Sequence, residues 1–231
     1  MHPVADLFVT GTDTGVGKTV VSLLLMQLLY AKGHHPFYLK LFQTGCNSPE
    51  DVHSDAKFIY DHTPDLLGQD PGRSVVFCFA PPRAPYYAAE KTGGRIDLAL
   101  MRRWVAEKKE EFSPLVIEGA GGLLVPITGD MMVVDVIKEL GCRPLLVSRA
   151  GLGTINHTLL SLEALRQRQI EPLGVVFVNA GPAISEREFV DENIQAIRRF
   201  GGIHTNGVID RLDDFRRPPE SAYAALEEIL A

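Results

Sequence analysis

Nothing in this chain of 231 residues reads as a membrane segment, a disulfide framework or a nucleic-acid surface. The longest apolar run, Val20 to Ala31, is broken by Ser22 and Gln27 and is too short to cross a bilayer. The amino-terminal MHPVADLFVT lacks the basic stretch that opens a secretory signal. Cys46, Cys78 and Cys142 are odd in number and without metal-ligand spacing, so no disulfide is expected and a reducing, cytoplasmic setting is. The histidines show no metal spacing either, and His157 reads as a packing or capping residue. Lys and Arg number 23 against 29 Asp and Glu, a formal charge of -6, which argues against non-specific nucleic-acid binding. The pairs Arg102-Arg103 and Arg198-Arg199 read as solvated helix faces. No repeat, linker or low-complexity tract divides the chain, and a 45% hydrophobic content can fill one core, so residues 1–231 are expected to form a single domain.

What is present is alternation. Short apolar runs at Leu7–Thr10, Pro36–Lys40, Ser74–Phe79, Leu115–Glu118, Pro144–Ser148, Leu173–Asn179 and near Gly207–Ile209 predict strands. Between and after them, Lys18–Lys32, Asp55–His62, Asp97–Glu111, Met131–Leu140, Ile155–Arg168, Glu186–Phe200 and Glu220–Leu230 predict helices, while Pro81, Pro82 and Pro85 mark a loop. This order predicts an α/β fold, a mostly parallel sheet with helices on both faces, in which ligands bind beyond the carboxyl ends of the strands.

The first strand leads into GTDTGVGKT, with Gly17, Lys18 and Thr19 heading a long apolar helix. Strand, glycine-bearing loop and helix are the context of a phosphate-binding loop of the P-loop NTPase type. There, unpaired N–H groups face phosphate oxygens, Lys18 reaches the outer phosphates and the Thr19 hydroxyl reaches a magnesium ion. Gly11 lies one residue too early for the usual pattern, so the loop is a longer variant.

Further residues stand at expected strand and helix ends. Lys40 ends the second strand and reads equally as a solvated edge lysine or as a cation aimed at the phosphate loop. Ser54 and Asp55 read as a capped helix start, which alone accounts for them; a magnesium ligand is the alternative for Asp55. Glu118 ends an apolar run and precedes Gly119-Ala120-Gly121-Gly122. A carboxylate there is costly to desolvate without a metal or cationic partner; a magnesium ion shared with phosphates supplies one, and a structural salt bridge is the alternative. Thr154 is a candidate N-cap for a helix with Ile155, Leu159, Leu162 and Leu165 on one side. Capping accounts for it, and the N–H groups near Asn156 form an alternative anion site. Asn179 either reads a purine base or turns the chain.

Taken together, GTDTGVGKT, Lys40 with Gln43-Thr44-Gly45, Asp55, EGAGG at Glu118–Gly122, GLGTINH at Gly151–His157, and Asn179 resemble the dethiobiotin synthetases, to about Asn179. The resemblance implies an ATP- and magnesium-dependent cyclo-ligase that closes a urea ring on 7,8-diaminononanoate with carbon dioxide. It implies that Asp13, Thr14, Gly15, Val16, Gly17, Lys18, Thr19, Val20, Glu118 and Asn179 hold the nucleotide, and that Thr19, Asp55 and Glu118 hold magnesium. It implies substrate contacts from Thr14, Lys40, Thr44, Gly121, Gly122, Thr154, Ile155 and Asn156, the last three across a homodimer interface, with Lys18, Lys40 and Thr14 catalytic. The chain departs from many relatives at Leu41 (Pro), Ala180 (Asp) and Asp210 (Pro in several), the last two flanking the expected base pocket. Partitioning-type ATPase switches share the ancestral loop but carry a second lysine early in it, where this chain has Thr12, Asp13 and Thr14. A related amide ligase acting on corrinoids normally brings a glutaminase domain, for which the chain has no room.

Overall fold

In the computed structural model, which describes residues 4–180 and 185–230, seven strands form one sheet whose ladders are all parallel. They are β1 (Leu7–Gly11), β2 (Phe37–Thr44), β3 (Val75–Phe79), β4 (Leu115–Gly122), β5 (Arg143–Arg149), β6 (Gly174–Asn179) and β7 (Thr205–Asp210), in the order β3-β2-β4-β1-β5-β6-β7. The α-helices are α1 (Lys18–Ala31), α2 (Asp55–His62), α3 (Pro85–Lys91), α4 (Leu98–Glu111), α5 (Val133–Leu140), α6 (Thr154–Arg166), α7 (Arg187–Gly201) and α8 (Glu220–Glu227).

The strands are apolar nearly throughout because both faces are covered. Leu7, Val9, Val116, Leu145, Val147, Val176 and Val178 point to one side, into a core shared with α1, α2 and α8. Their neighbours Phe8, Leu115 and Ile117 point to the other, against α4 and α5, and Leu146, Val175 and Phe177 pack there against α6 and α7. Gln27 interrupts the apolar face of α1 without leaving a buried polar group unsatisfied. Its Nε2 donates to the carbonyls of His62 (2.8 Å) and Phe215 (2.9 Å), and its Oε1 accepts from the Tyr223 hydroxyl (2.9 Å).

Three expectations are corrected. Strand β2 runs four residues past Lys40, and β4 four past Glu118, because each keeps pairing beyond those points, Thr44 with Phe79 and Gly122 with Gly11. Lys40 and Glu118 therefore lie inside their strands, directly opposite one another. Pro85 opens α3 instead of lying in a loop; at the first position of a helix its missing N–H is no loss. Thr154 is the first residue of α6 and not its N-cap, which is Gly153 in a left-handed conformation. The Ser54 cap of α2 is present, its hydroxyl accepting from the Lys57 N–H. No described helix is long and apolar enough to cross a membrane.

Candidate active site

Since β1 is central, the loop that follows it emerges in the middle of the carboxyl edge, and α1 begins beneath it. Gly17 precedes α1 with φ +102°, and a Cβ there would sit 2.8 Å from Val178 Cγ2. Only glycine serves there, and it lets β6 close on the loop. Thr14, Gly15, Gly17, Lys18, Thr19 and Val20 line one wall of a cavity of about 700 Å³, while Val16 turns inward to the core. Lys40, Thr44, Asp55, Glu118 and Gly121 line the same cavity. Gly122 stands behind it, where a Cβ would come within 3.3 Å of the Thr12 carbonyl oxygen.

At the floor, side chains from four elements converge. The Lys40 ammonium lies 2.7 Å from Asp55 Oδ2 and 2.8 Å from Glu118 Oε1, and also donates to the Gly119 carbonyl at 3.2 Å. Tyr38, two residues earlier on β2, donates its hydroxyl to Glu118 Oε2 at 3.0 Å. Thr19 Oγ1 lies 2.9 Å from Asp55 Oδ1 and 3.0 Å from Glu118 Oε1. Gln43 Oε1 accepts the Asp55 N–H at 3.0 Å and so orients the start of α2. Lys40 is thus neither solvated nor isolated. Asp55 completes a capped helix start and also joins the cluster, so its two readings are compatible.

Electrostatics follow from burial. Desolvation would lower the Lys40 pKa, but the Asp55 and Glu118 carboxylates outweigh it and hold the ammonium well above the ordinary lysine value. For Asp55, burial would raise the carboxyl pKa, yet the Lys40 charge and the bonds from Lys40 and Thr19 hold it below the usual range. Burial, then the Lys40 charge, push Lys18 down to about 8; its Nζ folds onto the Asp13 carbonyl at 2.8 Å. Burial and Glu118 raise the Tyr38 hydroxyl far enough to keep it a donor.

One feature of the cluster fits a hard cation. A hydroxyl has one proton, so Thr19 can satisfy only one of the two carboxylate oxygens it faces, and Lys40 offsets only one of the two carboxylate charges. Three oxygens, Thr19 Oγ1, Asp55 Oδ1 and Glu118 Oε1, converge there, a donor set suited to magnesium, which takes one or two carboxylates and fills the rest with water and phosphate. No set of three or more His, Cys, Asp or Glu residues able to hold an ion by itself occurs among the described residues.

Other expected residues lie apart from the cavity. Asn179 is buried; its Oδ1 accepts from Ser185 N–H (2.9 Å), and its Nδ2 donates to Ser185 O (3.1 Å) and Asp210 Oδ1 (3.3 Å). Both amide protons brace the β6 and β7 ends, and Asp210 is the acid that holds one of them. Thr154 is fully buried, with its Oγ1 2.9 Å from Ser148 Oγ, whereas Ile155 packs partly against the core and Asn156 is exposed. Leu41 is fully buried in the core on the α4 side of β2. Sequence reasoning missed Tyr38, and it named Gln43 within a motif without giving it a role. The signal for Tyr38 was its two-residue spacing from Lys40, which places both on one face of the strand.

A family model described as an AAA domain matches residues 5–219. The ATP-dependent dethiobiotin synthetase of Methanococcus vannielii is 34% identical over 209 residues, 90% of this chain and 95% of that one. That of Paramagnetospirillum magneticum is 38% identical over 207 residues, 89% of this chain and 88% of its own. Among solved structures, a ParA family ATPase from Chlorobium tepidum superposes with a TM-score of 0.57 at 12% identity, covering 97% of this chain and 92% of that one, a likeness of fold alone. With 34% identity sustained over nearly the whole of both chains, this chain belongs to the dethiobiotin synthetase family.

Proposed function

We propose that the protein is an ATP-dependent cyclo-ligase of biotin biosynthesis that converts 7,8-diaminononanoate and carbon dioxide to dethiobiotin, ADP and phosphate. The observation that carries this reading is the buried Lys40, held by two carboxylates in the same cavity as the Lys18 of the phosphate loop. Hydrolysis at a phosphate loop needs a water and an Mg-bound phosphate. In this reading the charge of Asp55 and Glu118 is taken up by magnesium, and Lys40 is left to face an acceptor that carries its own negative charge.

In this scheme the 7-amino nitrogen, unprotonated, bonds to carbon dioxide and releases a proton, giving a carbamate. Lys18, Lys40 and loop N–H groups offset its charge. A carbamate oxygen attacks the γ-phosphorus and ADP leaves, a transfer governed by positioning and charge stabilisation. The 8-amino nitrogen then attacks the anhydride carbon, phosphate leaves and the ring closes. Thr19, Asp55 and Glu118 would hold magnesium, which supplies charge stabilisation to the transferring phosphoryl group. No covalent nucleophile is required, and the three cysteines have no part. Leu152 and Leu160 are exposed on either side of Asn156, which supports a homodimer in which the α6 start serves the neighbouring site.

Supplied with ATP, magnesium, diamine and isotopic bicarbonate, the protein is expected to form a labelled cyclic urea with one ADP per ring. Mass spectrometry reads this directly. Steady ATP hydrolysis indifferent to saturating diamine, without labelled product, would reject the ligase and leave a switch-type ATPase. The magnesium assignment has its own test. Glu118→Gln and Asp55→Asn should each shift the magnesium dependence of turnover to higher concentration, Glu118→Gln more, since its oxygens meet Thr19, Lys40 and Tyr38 together. Titrations that superimpose on wild type would show the ion to lie elsewhere.

A further inference from the structure

An acidic residue inside a phosphate-binding loop is electrostatically misplaced. The loop works through N–H donors and a positive field, and a carboxylate among them opposes the anion. Asp13 occupies this position. Its Oδ1 accepts the N–H of Thr14 at 2.7 Å, and its backbone carbonyl receives Lys18 Nζ at 2.8 Å, so its orientation governs both a loop donor and the loop lysine.

The other carboxylate oxygen, Oδ2, meets Arg149 Nη2 at 3.0 Å. Arg149 is the last residue of β5, and Asp13 is the one hydrogen-bond partner of its guanidinium among the described residues; its buried Nε has none. The same strand end grips the preceding loop residue as well. Thr12 N–H donates to the Val147 carbonyl at 3.0 Å, and Thr12 Oγ1 lies 3.3 Å from Ser148 Oγ, itself 2.9 Å from both Thr154 Oγ1 and Thr158 Oγ1. Three successive residues of β5 thus splint the additional length of the loop. Arg149 and Asp13 are both partly exposed, and such a pair adds little to global stability.

Building on the nucleotide-binding reading of this loop, we propose that Arg149 is a positioning residue for the phosphate site, which turns the Asp13 carboxylate aside and cancels its charge so that the loop accepts nucleotide phosphates. Arg149 acts through Asp13 and needs no contact with the nucleotide.

The test is titration calorimetry with ADP and ATP on the full chain, with thermal denaturation run alongside. Arg149→Met is expected to weaken nucleotide binding about tenfold, the scale of one added charge repulsion at partly screened distances. Arg149→Lys, which keeps the charge, should remain within about threefold of wild type, with unfolding midpoints unchanged in both. The deciding variant is Asp13→Asn with Arg149→Met, which removes the charge that Arg149 offsets and is expected to regain most of the lost affinity. Wild-type affinity in Arg149→Met overturns the proposal, and so does a double variant as weak as Arg149→Met. A wild-type chain that takes up no nucleotide would remove the phosphate-site reading itself, and this inference with it.

Discussion

Lys18→Ala is expected to reduce ring formation by on the order of a thousandfold, the scale of losing a cation that stabilises charge in the transition state. The fold should be untouched. Lys18 is buried, and its pKa is pushed down to about 8 by that burial and by the neighbouring Lys40, so the folded surroundings disfavour its charged form on balance despite the attraction of Glu118, Asp55 and Asp13. Removing it takes away a desolvated cation, and the thermal unfolding midpoint should stay level or rise. Labelled-bicarbonate turnover and thermal denaturation read the two quantities separately. Near-normal turnover with wild-type ATP affinity would remove Lys18 from the chemistry.

Lys40→Met should fail in both respects. Without the ammonium, the Asp55 and Glu118 carboxylates face one another with only the Thr19 and Tyr38 hydroxyls to share. Breaking a buried ion pair by removing one partner costs about 3–5 kcal/mol, and the lower end applies because the Asp55 side chain keeps 30% of its exposure. Urea denaturation measures this term. Combining Lys40→Met with Glu118→Gln relieves the repulsion, so stability should largely return while labelled product stays absent even at magnesium concentrations that restore turnover to Glu118→Gln alone. If turnover returned together with stability, Lys40 would be a structural strut and nothing more.

The contrast between these lysines shows how far the sequence could be read. Seven strands were legible because both sheet faces are covered, which puts an apolar run in each strand, though only a short one, Val208-Ile209, in β7. The phosphate loop was legible because its residues are contiguous. Lys40 could be placed but its state could not, since its partners Asp55 and Glu118 lie 15 and 78 positions away and only the β2–β4 register sets Lys40 opposite Glu118. Arg149 was harder still. It follows an apolar run as any solvated arginine might, and its partner stands 136 positions earlier in the chain. Strand ends were underestimated at Lys40 and Glu118 because a charge after apolar residues resembles a terminus when the opposing charge on the next strand is out of view.

The strand order has a consequence for how such proteins diversify. Lys40, Thr44 and Glu118 come from β2 and β4 on one side of β1, whereas Ser148, Arg149, Asn179 and Asp210 come from β5, β6 and β7 on the other. Substitutions at the β6 and β7 ends, such as an acid at position 210 bonded to Asn179, do not touch the cluster around Glu118. The sheet is therefore modular along its width: drift on the flank carrying Asn179 and Asp210 and drift at the cluster around Glu118 are separable, with the loop after β1 as their shared boundary. Lineages can explore the first without forfeiting the second, and a chimaera exchanged between β4 and β5, where the chain passes from one flank to the other, would inherit one property from each parent.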